Sequence, residues 1–251
     1  GKPMAQHLLD TIAGIKGSRH IIVIGDQAEE VKKTLLAPRN TTWVRQRKQL
    51  GTGHAVKTAI SSTRRGSMAV VLYGDVPLVQ SKTLNTLTKI ATKGSLAVLA
   101  FKKDIPKGYG RIIRDSRNQV EAIIEEKDAN QEQRKIGEVN SGILAIKSNS
   151  LKQLLPELKN KNAAKEYYLT DIVGLAKDSG IKVKALLLEN PDEVMGANTR
   201  LELQELERTC QKNQAKKLVE SGIQVADILR LDIRGSLEAG RGTFIDVNNV
   251  F

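Results

Sequence analysis

Apolar residues along this chain follow two rhythms. Met4, Leu8, Ile12 and Ile15 recur every three or four positions, which predicts a helix closed by Gly14 and Gly17. Residues 20–25 (H-I-I-V-I-G) form a continuous apolar run into glycine, the pattern of a buried strand. Val31, Leu35 and Leu36 mark a helix over 27–37, stopped by Pro38. Thr41–Arg45 alternates loosely and predicts a strand. A loop over 46–52 and a helix over 53–62 follow. Residues 70–78 (V-V-L-Y-G-D-V-P-L) repeat the buried-strand pattern, and Pro77 ends any pairing. A helix over 82–91 and a strand over 95–101 come next. This alternation predicts an α/β, doubly wound, mostly parallel sheet with 70–78 as its central strand.

The rhythm changes after Asp104. Residues 111–114 and 120–125 read as short strands joined by a polar turn at 115–118, and 139–147 (V-N-S-G-I-L-A-I-K) as a longer one. This section is expected to add an antiparallel insertion, a patch or lid over the sheet edge. Residues 150–158 and 169–177 are helical in pattern, 182–188 a strand, and 199–221 a long, charged, amphipathic helix. After it, Ile233, Leu237, Phe244 and Ile245 are separated by glycines, which resembles the first rungs of a left-handed β-helix of hexapeptide turns. A solenoid needs about three repeats or more to bury its core, so the chain is expected to stop short of a second domain.

Composition narrows the class. With 251 residues, 40% hydrophobic and 27% charged, the chain has the makeup of a folded domain. No apolar run reaches the roughly 18 residues of a membrane helix, and the start shows no signal-peptide pattern. A single cysteine, Cys210, excludes an internal disulfide framework and fits a reducing, cytoplasmic setting. The net charge of +12 invites a nucleic-acid reading, but aromatics are only 3%, leaving little to stack bases on. No nucleic acid and no membrane are therefore expected as partners. A basic surface attracts phosphorylated small molecules equally well.

Candidate chemistry gathers at glycines. Asp75 stands at the carboxyl edge of its strand, where such sheets bind ligands. There it suits a hard divalent cation carrying phosphates, or else caps the next turn. In Q-R-K-Q-L-G-T-G-H-A (46–55), two glycines flank Thr52 at a helix start, where unpaired N–H groups face outward. Gln46 and Gln49 each offer a donor and an acceptor, as a uracil edge requires. The alternative is a polar turn with a helix cap. In K-G-Y-G-R (107–111) the glycines would bring backbone against a ligand, and Glu125 and Asn140 could reach the same pocket. Glu125 also begins a charged run that would suit a solvated turn. Asn198 is either a ligand or the N-cap of the long helix. His7, His20 and His54 lack metal-ligand spacing, and no nucleophilic triad is visible, which favours catalysis by positioning and metal.

Seven motifs in order — L-G-T-G-H-A, L-Y-G-D-V-P-L, G-Y-G-R, I-E-E-K-D-A, V-N-S-G-I-L, E-Y-Y-L-T-D-I and G-A-N-T-R-L-E-L — resemble one family. It is the bacterial bifunctional N-acetylglucosamine-1-phosphate uridyltransferase / glucosamine-1-phosphate acetyltransferase. The resemblance implies a Rossmann-like uridyltransferase domain over 1–198, a linker helix over 199–222, and the start of a left-handed β-helix acetyltransferase over 223–251. It implies formation of UDP-N-acetylglucosamine and pyrophosphate from UTP and N-acetylglucosamine 1-phosphate with Mg2+. Acetyl-CoA would serve the second activity, and the full-length protein would be a homotrimer. By the same resemblance, Asp75 and Asn198 hold the metal. Gln46, Gly51 and Thr52 bind uridine, with Tyr73 and Gly74 lining that site. Gly110, Glu125, Asn140 and Thr170 bind the sugar. The family's opening strand and phosphate loop, and the acetyltransferase body, are expected to lie outside this chain, so that it would bind nucleotide weakly. A related sugar-1-phosphate nucleotidyltransferase, or a non-catalytic nucleotide-sugar-binding module, are the alternatives.

Overall fold

Leu96–Lys102 holds the deepest backbone of the molecule, with six consecutive residues from Leu96 to Phe101 wholly shielded from solvent. The computed structural model describes residues 2–251. Its elements are α1 (Met4–Ala13), β1 (His20–Ile24), α2 (Ala28–Thr34), β2 (Thr41–Arg45), α3 (Thr52–Ala59), β3 (Met68–Val71), α4 (Ser81–Thr92), β4 (Leu96–Lys102), β5 (Arg111–Arg114), β6 (Val120–Ile124), α5 (Gln131–Arg134), β7 (Glu138–Lys147), α6 (Ser148–Leu154), α7 (Ile172–Asp178), β8 (Val183–Leu187) and α8 (Arg200–Glu220). Four two-residue strands end the chain: β9 (Gln224–Val225), β10 (Leu231–Asp232), β11 (Phe244–Ile245) and β12 (Asn249–Val250).

Period-two alternation in β4 splits the core into two layers. Leu96, Val98 and Ala100 pack with α6, α7 and the Val56 face of α3. Ala97, Leu99 and Phe101 pack with α4 and α1. Helices therefore cover both faces, as the alternating pattern predicts. The sheet itself is mixed rather than mostly parallel. β4 and β8 pair in parallel, but β7 lies antiparallel between β3 and β4, and β5 and β6 extend the sheet as an antiparallel pair. The strand at 139–147 is thus not a lid over the edge but a strand of the main sheet. Glu138 pairs with Lys102, the last residue of β4. Residues 125–137, which include the four-residue α5, connect β6 to β7; both strands pair antiparallel with β5 and so run in the same direction.

The strand expected at 70–78 is shorter and less buried than its sequence implies. It spans Met68–Val71, and all four residues are half-buried. It pairs with β7 alone, while β1 and β2 form a separate parallel pair. The expected 27–37 helix also stops early, leaving Leu36 81% exposed. α8 fits its expected bounds but is not amphipathic, since only Leu206, Gln211 and Ala215 are buried along it. Gln211 exchanges two hydrogen bonds with the Ile233 backbone (2.7 and 3.0 Å), joining α8 to a small separate core of Ala215, Ile223, Leu231, Ile233 and Ile245. There Leu231 pairs with Asn249 and Asp232 with Val250 in parallel, each 18 positions apart. No helix among the described residues is long and apolar enough to cross a membrane.

Candidate active site

The loop before α3 is shaped by Gly51. Its φ of +101° disfavours any side chain, and a Cβ there would lie 2.8 Å from the Tyr167 carbonyl. Glycine therefore lets the loop lie against the segment at 166–170. The Tyr167 N–H donates to the Leu50 carbonyl and the Gly53 N–H to the Tyr167 carbonyl, both at 2.8 Å. Gln46 extends the β1–β2 ladder through its N–H to the Ile24 carbonyl (2.8 Å), and its Nε2 donates to the Gly51 carbonyl (3.2 Å). The Thr52 hydroxyl accepts from the Leu169 N–H (3.2 Å). Tyr73 leans over the same turn. Burial pushes its hydroxyl up to about 12, the Thr52 hydroxyl opposes that, and the Glu125 and Asp75 carboxylates add to it. Tyr73 thus stays a neutral donor. Gly74 is exposed in the turn that follows.

A second cluster forms where β5, β6 and β7 meet. The Asn140 N–H donates to the Gly110 carbonyl (2.9 Å). A Cβ on Gly110 would stand 2.9 Å from Ile123 and 3.3 Å from Glu125 Oε2, so backbone approaches the carboxylate closely. The Thr170 hydroxyl donates to Glu125 Oε1 (2.8 Å). Asn140 and Thr170 are both buried. Burial raises the Glu125 carboxyl, Thr170 partly offsets this, and Asp128 adds repulsion. Glu125 is therefore not a solvated-turn residue, despite the charges after it. The single 3₁₀ turn Leu169–Asp171 serves both clusters, with Leu169 on Thr52 and Thr170 on Glu125.

The third group lies on the turn after β3. The Ala197 N–H donates to the Asp75 carbonyl (3.3 Å), and a Cβ on Gly196 would meet Asp75 Oδ2 at 3.7 Å. Asn198 follows directly but does not cap α8. Thr199 is the N-cap, in a capping box with Glu202. The Asn198 N–H donates to Glu202 (2.7 Å), and this bond with the Thr199 N–H holds the Glu202 carboxyl below its usual range. The Asn198 side chain makes no hydrogen bond among the described residues and is exposed. One carboxylate and one uncommitted amide on adjoining backbone form a donor set suited to a hard divalent cation that keeps waters and takes phosphate oxygens rather than a closed protein cage. Among the described residues no three His, Cys, Asp or Glu side chains converge on a metal position.

Three residues around these clusters carry more structure than their motifs suggest. Arg111 is only 1% exposed, and its guanidinium binds Glu126 (2.5 Å), the Arg134 carbonyl (3.3 Å) and the Tyr109 carbonyl. It fixes the chain on both sides of Gly110 and Glu125. Tyr109 packs edge-on against Phe101 (5.2 Å), and its hydroxyl is raised by burial, then by Glu202 and Asp75. That effect marks the β5 approach as near neighbour to Asp75 and the α8 start. His54 touches Gln46. Arg111 and Tyr109 stand in the K-G-Y-G-R motif and His54 in L-G-T-G-H-A. Arg111 reaches Glu126 and the Arg134 carbonyl outside its motif, while His54 meets Gln46 within the 46–55 stretch.

Known proteins resemble this chain over its whole length. The chain is 45% identical over all 251 residues to the bifunctional protein GlmU of Marinobacter nauticus, and 46% identical to that of Dechloromonas aromatica. It covers 100% of itself but 55% of each relative, so it spans about half their length. Among solved structures, a UDP-glucose pyrophosphorylase complexed with UDP-glucose superposes with a TM-score of 0.57 at 17% identity, over 74% of this chain and 78% of that one. A CMP:2-keto-3-deoxy-manno-octonic acid synthetase complexed with CTP gives 0.58 at 15% identity, over 82% and 86%. These two likenesses establish the fold, a Rossmann-like α/β arrangement. The sequence profile of the MobA-like NTP transferase domain matches residues 1–221. The chain therefore belongs to the MobA-like NTP transferase family.

Proposed function

We propose that this chain is the nucleotidyltransferase part of an enzyme that forms UDP-N-acetylglucosamine and pyrophosphate from UTP and N-acetylglucosamine 1-phosphate. The observation that carries this reading is the turn Leu169–Asp171, which binds Thr52 on one side and Glu125 on the other. A nucleotide at the Gly51 loop and a sugar at Gly110, Glu125, Asn140 and Thr170 would then meet over Asp75. The sugar phosphate oxygen attacks the α-phosphorus of UTP in line, the bond to the β-phosphate oxygen breaks, and pyrophosphate leaves. Gln46 reads the base, with Tyr73 and Gly74 against the nucleotide. Glu125 accepts from the sugar, and the buried Asn140 orients it. Mg2+ held by Asp75 and Asn198 would neutralise charge on the phosphates. No covalent enzyme intermediate is required.

The organisation follows the same reading: transferase domain over 1–198, linker helix over 199–222, and the first coil of a left-handed β-helix over 223–251. β10 pairs with β12 at an offset of 18 residues and β9 with β11 at 20, both in parallel, which supports a coil of about three hexapeptides. The acetyl-CoA-dependent activity, trimeric assembly and cytoplasmic location belong to the same proposal for the longer protein.

Asp75→Ala in the full-length gene product tests the metal role. Loss of a charge-stabilising ligand is expected to lower uridyltransfer by roughly 10²-fold or more. Near-normal turnover would remove that role. Turnover on glucose 1-phosphate against N-acetylglucosamine 1-phosphate separates this reading from that of a different sugar-1-phosphate nucleotidyltransferase.

A further inference from the structure

Both hydrogens of one amide nitrogen are committed at the entrance to α3. Gln46 Nε2 lies 3.2 Å from the Gly51 carbonyl oxygen and 2.8 Å from His54 Nδ1. A carbonyl can only accept, so the atom facing Gly51 has to be the donor nitrogen and not the oxygen of the carboxamide. That nitrogen can only donate, so His54 Nδ1 has to accept. The imidazole is therefore neutral at Nδ1 and carries its proton on Nε2. Gln46 Oε1 is turned the other way and has no hydrogen-bond partner among the described residues.

His54 is held in turn by its surroundings. It sits in the first turn of α3, where the Ala55 N–H donates to the Gly51 carbonyl (3.2 Å) and the Thr58 hydroxyl to the His54 carbonyl (2.8 Å). Its ring tilts against Tyr167, with centroids 6.4 Å apart. Tyr167 belongs to the segment stitched to the Gly51 loop, so the ring, the loop and the carboxamide form one rigid unit.

We propose that His54 is a positioning residue that, together with the Gly51 carbonyl, holds the Gln46 carboxamide with Oε1 outward, so that the site selects bases carrying an imino N–H. This rests on the reading of Gln46 as the base-binding residue. The sequence suggests that Gln46 offers a ring both a donor and an acceptor, but here its donors are already engaged. Only the acceptor remains. Uracil presents an N3–H to it, whereas cytosine presents a lone pair against a lone pair. Turning the amide over would set Oε1 against the Gly51 carbonyl and require the His54 proton to move to Nδ1. The Gly51 carbonyl and His54 together disfavour the orientation that would bind cytosine.

Two measurements on the full-length gene product test this. The ring ¹⁵N shifts of His54 report its tautomer, and a bare Nδ1 with a protonated Nε2 is expected. A proton on Nδ1 would overturn the proposal without any ligand. Titration with UTP and CTP then reads base preference. His54→Leu is expected to lower the UTP-over-CTP ratio roughly tenfold, the worth of about one hydrogen bond. His54→Asn, which can return an acceptor near Nδ1, should restore much of it. A His54→Leu chain that keeps the full preference, with a native circular dichroism spectrum, would sink the proposal and leave the uridine reading intact. Equal affinity of the wild-type chain for UTP and CTP would remove the uridine reading and this inference with it.

Discussion

The two halves of the candidate site are built differently. The sugar side is anchored at strand ends of the main sheet, with Asn140, Thr170 and Arg111 all buried and bonded to Gly110, Glu125 and Glu126 in turn. The nucleotide side hangs from the β1–β2 pair, which has no strand bond to the main sheet, and Thr52 is exposed. Its order comes from side contacts: Gly51 against Tyr167, Thr52 on Leu169, Gln46 on His54. One half is therefore set by the sheet register itself, and the other by a loop leaning on a neighbouring turn. Substitutions on the sugar side should act through stability as well as binding, and those on the nucleotide side chiefly through binding and selectivity.

Arg111→Met presses hardest on this contrast. Its guanidinium ties Glu126 to the Tyr109 and Arg134 carbonyls with almost no solvent access. Losing it is expected to cost about 3 kcal/mol in denaturant unfolding. The KM for the sugar phosphate should rise more than that for UTP. Equal rises in both would mean that Arg111 supports the whole site, not one half.

Thr170→Val is the next test. It removes the hydroxyl that donates to Glu125 while leaving the Leu169 N–H on Thr52. A bond to a charged acceptor is worth about 1.5–3 kcal/mol, so the sugar-phosphate KM should rise roughly tenfold or more with UTP affinity unchanged. If UTP weakens in step, the shared turn couples the halves and the contrast fails.

Glu125→Gln has the smallest expected effect on stability and the clearest sign. Burial raises the Glu125 carboxyl in the folded chain. The folded state then holds the proton more tightly than the unfolded state. The stabilisation is present in acid and is lost as pH rises through the raised value, leaving an ionised side chain as a cost at neutral pH. The neutral amide should match or exceed wild-type stability at pH 7, and the gap should close on acidification. It can still accept from Thr170 but not with a full charge toward the sugar, so activity should fall. A midpoint lower than wild type at pH 7 that falls further behind in acid would contradict this account.

Much of the site was legible residue by residue. Gly51, Gly110 and Asn140 stand in short motifs whose glycines signal close backbone approach, Glu125 stands at a strand end, and Thr170 is assigned only through the family resemblance; the structure places Gly51 against the 166–170 segment and sets Gly110, Glu125, Asn140 and Thr170 around one carboxylate. Glu125 and Asn198 each had a bland local reading. Burial removes it for Glu125, and the Thr199–Glu202 capping box removes it for Asn198. Arg111 and His54 were not assigned, because an arginine in a polar motif reads as solvated until its carbonyl partners are known.

Local pattern determined the elements and their two-faced packing, since side-chain periodicity of two in β4 and of three to four in α4 follows from backbone geometry alone. It also fixed the long helix, whose caps at Thr199 and Ser221 are neighbours in sequence. Strand direction and order were decided only in three dimensions. An apolar run looks the same whether it pairs parallel or antiparallel, so the place of β7 between β3 and β4, and its direction, follow only from the tertiary pairing. The orientation of Gln46 was settled in the same way. Its amide can face either direction until the Gly51 carbonyl and His54 Nδ1, brought together by folding, leave one choice.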